Sequence, residues 1–360
     1  MNRFVVISLL LLVGLGCHKI RTSTLLEEES SHQEEMLRPF HGLALGTSGS
    51  NNRLQDLNPT AADLSSDMKV LAVLGYGSRS CNGLVDGIVL FDLSKDEEVN
   101  TIGHHCGLYE KSSAESLAII EYIPNEKVSV LVAAEQIHHT MICEADLKTS
   151  PASIDCKNHT KFSDFHNGGE MQENSGIDVV GIHQSTSSGL IKPEDLWVMP
   201  DSSQFLWVYG YECYIDATLC EDPKVKLTLP RYLQQAEDLA IAKCPNHDSE
   251  KGELCTYVGD IGRYGTSRLY VIPHKTVDDL LKGQEASSDE IPSLELNPCD
   301  WRYYNLDDYG KDWSDSEAMT IFEKDQKIFA LVIHKNSQGT LWSFEMRHED
   351  LRYDSRCTSK

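Results

Sequence analysis

A short pattern, an acidic or small polar anchor leading an apolar β-type run, returns five times along this chain: "TAADLSS", "SAESLAI", "SGIDVVG", "QAEDLAI" and "DSEAMTI". With Asp63, Ser116, Asp178, Asp238 and Ala318 taken as equivalent anchors, the copies recur at intervals of roughly 50 to 80 residues, the length of a four-stranded propeller blade with its loops. A unit of that size cannot bury its own apolar faces, so neighbouring copies must stack. The fourth copy shows the internal order best: "EDLAIA", "LCTYVGD", "SRLYVIP" and "DWRYYNL" read as four successive strands.

Between Gly42 and the C-terminus, β-branched and aromatic runs such as "KVLAVLGYG", "KVSVLVAAE", "QFLWVYGYE" and "KIFALVIHK" alternate with Gly, Asn, Asp, Ser and Pro turns, without long helical periodicity. The expected fold is all-β: a single closed β-propeller of five four-stranded blades, with room for a sixth in the longest unit. The fifth copy lacks a fourth strand after "GTLWSFEM", and residues near "FHGLALGT" at the N-terminus are the candidates to supply it and close the ring. Closure removes the exposed sheet edges that invite aggregation.

The N-terminus predicts a compartment. Arg3 is followed by the apolar run Phe4–Leu15, too short to span a bilayer comfortably, and Gly14 and Gly16 suit cleavage before Cys17. Residues 1–16 are therefore read as a secretory signal peptide, 17–39 as a polar Glu-rich arm and 40–360 as the propeller. A lipoprotein would acylate Cys17, but Gly14 stands where the lipobox has Leu. The protein is expected to be secreted and extracellular, without a membrane span, and monomeric.

Of eleven cysteines, an even ten remain beyond Cys17, as disulfide pairing in an oxidising compartment requires. Sequence alone does not fix connectivity. Pairing within each small sheet suggests Cys81 with Cys106, Cys143 with Cys156, Cys213 with Cys220 and Cys244 with Cys255, and Cys299 with Cys357 would tie the tail to the preceding blade. No spacing is of the CxxC type that zinc or redox chemistry uses. Asn158-His159-Thr160 is a glycosylation sequon, expected on an exposed loop.

The motifs "AEDLAIA", "YVGDIG" with "RLYVIP", and "DSEAMTIF" are similar to those of a poorly characterised family of secreted β-propeller proteins with E-D-I-A, Y-V-G-D-I-G-D-N and D-A-E-A-L patterns. The resemblance covers Gln234 to Met346 and implies the propeller fold. It departs at Arg263-Tyr264, where the family has Asp-Asn, and it implies little about function, because propellers host many activities.

The first strand of each blade borders the central channel, so the repeated acids predict a ring of carboxylates near one face. Glu115, Asp178, Glu237, Asp238 and Glu317, with Asp63, either accept hydrogen bonds from neighbouring blades or converge on a hard cation. Calcium, which takes six to eight oxygens, is the cofactor that would fit. "NLDDYGKDWSDSE" has Asn305, Asp307 and Gly310 at calcium-loop positions, but Glu317 falls one residue late and no helices flank it.

The net charge of −24 disfavours nucleic acid and anionic membranes, and it suits cations or basic protein surfaces. No GxSxG, HExxH or Walker sequence is present. The doublets His104-His105 and His138-His139 point to opposite faces of a strand and do not offer both rings to one ion. The expected function is that of a noncatalytic, acidic extracellular or matrix scaffold, including a biomineral organic matrix, that binds calcium, protein partners or both. The alternative is a calcium-dependent hydrolase acting on an ester, lactone or phosphate.

Overall fold

Two runs without alternation, "VLAVLGY" and "KVSVLVAA", show how the chain is layered. In the first, Val70, Ala72 and Leu74 pack into one hydrophobic core while Leu71 and Val73 pack into another. In the second, Val128, Val130 and Val132 share the first of those cores, and Leu131 and Ala133 enter a third. A strand buried on both faces has no polar face to show.

The computed structural model describes residues 37–39, 58–76, 87–93, 100–108, 114–134, 139–161, 174–178, 190–200, 205–212, 223–229, 238–245, 253–260, 267–283, 291–309, 316–334 and 340–357. Their strands form five sheets. A three-residue strand, β1 (Leu37–Pro39), precedes the first blade. Blade 1 is β2 (Asn58–Leu64), β3 (Val70–Tyr76), β4 (Gly87–Asp92) and β5 (Asn100–Cys106). Blade 2 is β6 (Ala114–Ile123), β7 (Lys127–Ala134), β8 (His139–Asp146) and β9 (Ser153–Lys161). Blade 3 begins β10 (Asn174–Asp178), β11 (Leu196–Pro200), β12 (Phe205–Tyr209) and β13 (Val225–Thr228).

Blade 4 contains β14 (Asp238–Lys243), β15 (Leu254–Asp260) and β16 (Arg268–Pro273). The chain then forms helix α1 (His274–Gly283) and β17 (Ser293–Glu295) before returning as β18 (Arg302–Asn305). Blade 5 is β19 (Ser316–Lys324), β20 (Lys327–His334) and β21 (Thr340–Glu345), and the tail adds β22 (Arg352–Tyr353). Within every blade successive strands pair antiparallel, as the fourth-unit reading anticipates.

Three outer edges are covered from elsewhere in the chain. β1 pairs with β21 through Leu37↔Phe344, Arg38↔Ser343 and Pro39↔Trp342. The missing strand thus comes from the N-terminal side, immediately before "FHGLALGT", whose own residues lie outside those described. Pro39 is tolerable there because an edge strand need not donate from every residue. β17 leaves blade 4 to pair parallel with β13 of blade 3, and β22 pairs with β18 of blade 4. The extra length of the fourth unit is used for α1 and this crossing strand. Each addition covers backbone groups that would otherwise form an open edge.

The inner strands β2, β6, β10, β14 and β19 neighbour one another in that order, and β19 lies against β2. Five hydrophobic cores fill the junctions between blades 1 and 2, 2 and 3, 3 and 4, 4 and 5, and 5 and 1. Tight hairpins suit the inner pairs: β19 turns into β20 through Asp325 and Gln326, both at positive φ, the twist that two-residue hairpins need.

Disulfides Cys143–Cys156, Cys244–Cys255 and Cys299–Cys357 are present. Cys106 is also disulfide-bonded, while Cys81, Cys213 and Cys220 lie outside the described residues. Asn158 is exposed on the outer strand β9 rather than on a loop.

Candidate functional site

A β-bulge near the start of the inner strand sets the geometry of the channel. The register shifts between Pro59 and Ala61 in β2, Ala114 and Ser116 in β6, Asn174 and Gly176 in β10, and Ser316 and Ala318 in β19. The bulged residues are therefore Thr60, Glu115, Ser175 and Glu317. In blade 4 the described strand begins at Asp238, which pairs with Gly259 at the position corresponding to Ser116 and Ala318. Glu237 would complete the bulge layer but lies outside the described residues, as do the side chains of Glu115, Asp178 and Glu317.

This register corrects the repeat alignment. Ala61, Ser116, Gly176, Asp238 and Ala318 are the equivalent positions, so Asp63 and Asp178 stand two residues further along their strands than the sequence anchors imply. They share a layer with Ala118, Ala240 and Thr320. The predicted ring thus divides by backbone position, with Glu115 and Glu317 at the bulges, Asp238 one step on, and Asp63 and Asp178 deeper. Among the described residues, no three His, Cys, Asp or Glu side chains gather as a metal site.

Asp63 shows what a carboxylate in the deeper layer does. Its Oδ2 accepts the backbone N–H of Ile119 in blade 2 at 2.7 Å, and its Oδ1 accepts Leu64 N–H at 2.7 Å and the Thr320 hydroxyl of blade 5 at 3.1 Å. One side chain thereby ties three inner strands. Burial pushes its pKa up from 3.8 to about 6, against the lowering effect of these donors. Asp238, buried in β14, accepts Leu239 N–H at 2.8 Å through Oδ1.

A second ladder of polar contacts lies at the opposite ends of the inner strands. Ser65 Oγ accepts Val70 N–H at 2.9 Å and donates to Asp67 Oδ1 at 2.9 Å, fixing the β2–β3 turn. Tyr122 at the end of β6 donates to Asp67 Oδ2 at 3.1 Å, which joins this turn to blade 2. Burial and the Asp67 charge push the Tyr122 hydroxyl up to about 12. Burial opposes ionisation of Asp67, but donors from Ser65, Lys69 and Tyr122 outweigh it and lower the pKa.

At the junction of blades 3 and 4, the buried His274 ring stacks on Trp197 at 4.7 Å between centroids, with Nε2 at 2.9 Å from Thr256 Oγ1. Burial drives its pKa down to about 3. Asp278 on the same helix accepts the N–H groups of Leu190 and Ile191 at 3.0 and 2.9 Å. Sequence reading missed this clasp: Val277, Leu280 and Leu281 mark one apolar face of α1, but the helix has only ten residues and no local signal pairs it with blade 3.

The histidine doublet His104-His105 splits as strand geometry requires. His104 is exposed, while His105 Nδ1 lies 3.1 Å from Ile154 O in blade 2. His138 lies outside the described residues. The acidic stretch from Asn305 begins as the end of β18 and a 3-10 turn over Leu306–Tyr309. There Asn305 donates to Asp308 at 3.0 Å, and Asp308 is ion-paired with Arg352 of β22.

No family model matches the chain, and no curated protein matches it. Solved structures similar to it include the major allergen Mala s 1 of Malassezia sympodialis, at 10% identity and a TM-score of 0.40, covering 81% of this chain and 78% of that one. The tail fibre of Staphylococcus aureus phage P68 is similar at 8% identity and a TM-score of 0.41, covering 88% of this chain. The alignment spans about half of that fibre's length, 54%. The five sheets of this chain themselves establish the propeller.

Proposed function

We propose that this protein is a secreted, noncatalytic propeller scaffold whose acidic surface binds cations or basic proteins outside the cell. The observation that carries this reading is the use of Asp63: a channel carboxylate that accepts hydrogen bonds from blades 1, 2 and 5 serves to hold the ring together. The disulfides and the three edge-covering strands suit a rigid extracellular part, since such bridges persist in oxidising compartments. With 56 acidic against 32 basic residues, long-range attraction favours basic partners.

Calcium belongs to the same reading. It would be held at the bulge layer by Glu115, Glu237 and Glu317 with Asp238 one residue on, because these four fall at neighbouring register positions. Asp63 is committed elsewhere. A matrix role, including that of a biomineral organic matrix, follows from the same acidity.

The test is a melting curve of the wild type and of Glu237→Gln, each in calcium and in chelator, together with retention of a lysine-rich peptide at low and high salt. Salt-sensitive retention supports the scaffold reading, and failure to retain the peptide at low salt overturns it. A calcium shift abolished in Glu237→Gln assigns the cation to the bulge layer, and no calcium shift in the wild type removes calcium from the reading.

A further inference from the structure

In blades 3, 4 and 5 the outermost position is filled from elsewhere in the chain, by β17, β22 and β1. Blade 2 ends on its own strand β9, whose backbone can be followed outward residue by residue. Just before the strand, Ala152 N–H donates to Ile102 O of blade 1 at 2.8 Å, and Ile154 O lies 3.1 Å from His105 Nδ1 of the same blade. The backbone groups of Ala152 and Ile154 therefore point away from β8. In an antiparallel ladder this direction returns at every second residue, so those of Cys156 and Asn158 point away as well. The disulfide agrees: Cys143 and Cys156 stand opposite each other with Cα atoms 4.0 Å apart. Pairs that exchange no backbone hydrogen bonds are spaced at about 4.5 Å, against about 5.5 Å for those that do. Met141↔Asn158 is the next pair of the same kind.

Blade 1 thus covers β9 as far as Ile154. Among the described residues, no hydrogen bond from outside blade 2 reaches the outward groups of Cys156 and Asn158. Asp155 and Lys157 pair with each other at 2.9 Å, so within this stretch their charges cancel and do not repel a second strand. An open edge of that kind recruits strands of other copies. Asn158, which is exposed at this edge, begins the sequon Asn158-His159-Thr160.

We propose that an N-linked glycan on Asn158 caps this edge, doing for blade 2 what β17, β22 and β1 do for the other blades. The sugar comes from an oligosaccharide linked to a lipid diphosphate, the donor class of the secretory pathway. Asn158 Nδ2 forms a bond to the anomeric carbon of the first sugar while the bond from that carbon to the diphosphate breaks. The lipid diphosphate leaves with the bonding electron pair and one Nδ2 proton is released, so nothing is oxidised or reduced. A glycan is bulky and solubilising. A second strand must lie within about 5 Å of β9 to pair with it, and a sugar rooted at Asn158, beside the outward N–H of the same residue, excludes it. The inference rests on the reading of the chain as secreted, and not on cation or basic-partner binding.

The full chain, leader included, is produced in a eukaryotic secretory host and its peptides are mapped by mass. A glycan at Asn158 and, by light scattering, a molar mass of one polypeptide are expected. Asn158→Gln and Thr160→Ala remove the sequon in two ways. Both should keep the wild-type circular dichroism yet associate to roughly two chains or more at concentrations where the wild type is single. Asn158→Pro removes the sequon and the outward N–H together. Proline is tolerated on an edge strand whose N–H serves no ladder bond, so this variant should fold and stay single without a glycan. Secreted protein bare at Asn158, sequon variants that fold and remain single, or association undiminished in Asn158→Pro would each overturn the proposal. Retention inside the cell would instead overturn the secreted reading, and this inference with it.

Discussion

The hydroxyl of Thr320 donates to the carboxylate of Asp63 at 3.1 Å although the two lie 257 residues apart in the chain. They are corresponding positions of the last and first blades, counted from the bulge. The bond therefore marks the junction at which the end of the repeat meets its beginning. Ile119 N–H extends the same contact into blade 2.

Removing this acceptor should loosen both junctions. Asp63→Ala leaves the donors of Ile119 and Thr320 without their partner, and a loss of about 2 to 4 kcal/mol in denaturant unfolding is expected. A loss below 0.5 kcal/mol would show that water replaces the carboxylate at no cost. Asp63→Asn retains one acceptor oxygen and should fall between the two.

Asp63 also predicts a pH slope. Its folded pKa lies above the unfolded 3.8, at about 6, so the native state holds the proton more tightly. The stabilisation is fully present below 3.8 and is lost as pH rises through about 6. The difference corresponds to about 3 kcal/mol. Comparing unfolding free energies of wild type and Asp63→Asn across this window should show the slope only in the wild type.

His274 predicts the opposite sign. Its folded pKa is depressed from 6.5 to about 3, so the unfolded chain binds protons that the native state refuses. Stability contributed above pH 6.5 is lost as pH falls toward 3, with a slope of at most about 1.4 kcal/mol per pH unit. His274→Leu should flatten that limb. Trp197, stacked on the ring, gives the readout: its near-UV signal should change in step with the acid transition in the wild type.

The bridges should differ in worth. Cys299–Cys357 closes a span of 58 residues, against 13 and 11 for Cys143–Cys156 and Cys244–Cys255. Loop-closure entropy assigns about 4 kcal/mol to the first and about 3 to each of the others. Paired Cys→Ser variants compared by denaturant unfolding should preserve that order. The Cys299/Cys357 variant should also release β22, seen as faster hydrogen exchange at Arg352 and Tyr353.

Strand β1 supplies a further expectation. A protein beginning at residue 40 lacks the three residues that cover β21. It should lose stability and associate at concentrations where the longer chain stays monomeric, because an open edge recruits another strand. Light scattering that shows both forms equally monomeric would assign β1 no protective role.

The sequence by itself determined the class of fold. Strand-length apolar runs and five recurring anchors require stacked β units, since neither a run such as "VLAVLGY" nor a single blade can bury itself. The even cysteines and their spacing were enough to suggest the bridges Cys143–Cys156 and Cys244–Cys255, because local pairing follows from a meander of adjacent strands, and Cys299–Cys357 as the tie between the tail and the preceding blade. Tertiary structure alone decided the layers of the channel. The pairing register decides which residue stands at which level, so "AAD" and "AED" look equivalent in sequence while Asp238 is level with Ala61 and Asp63 stands two residues further along its strand. It also decided that α1 clasps blade 3 and that β17 crosses to β13. Each of these depends on contacts between residues distant in the chain, and no local propensity records which distant surface a segment will meet.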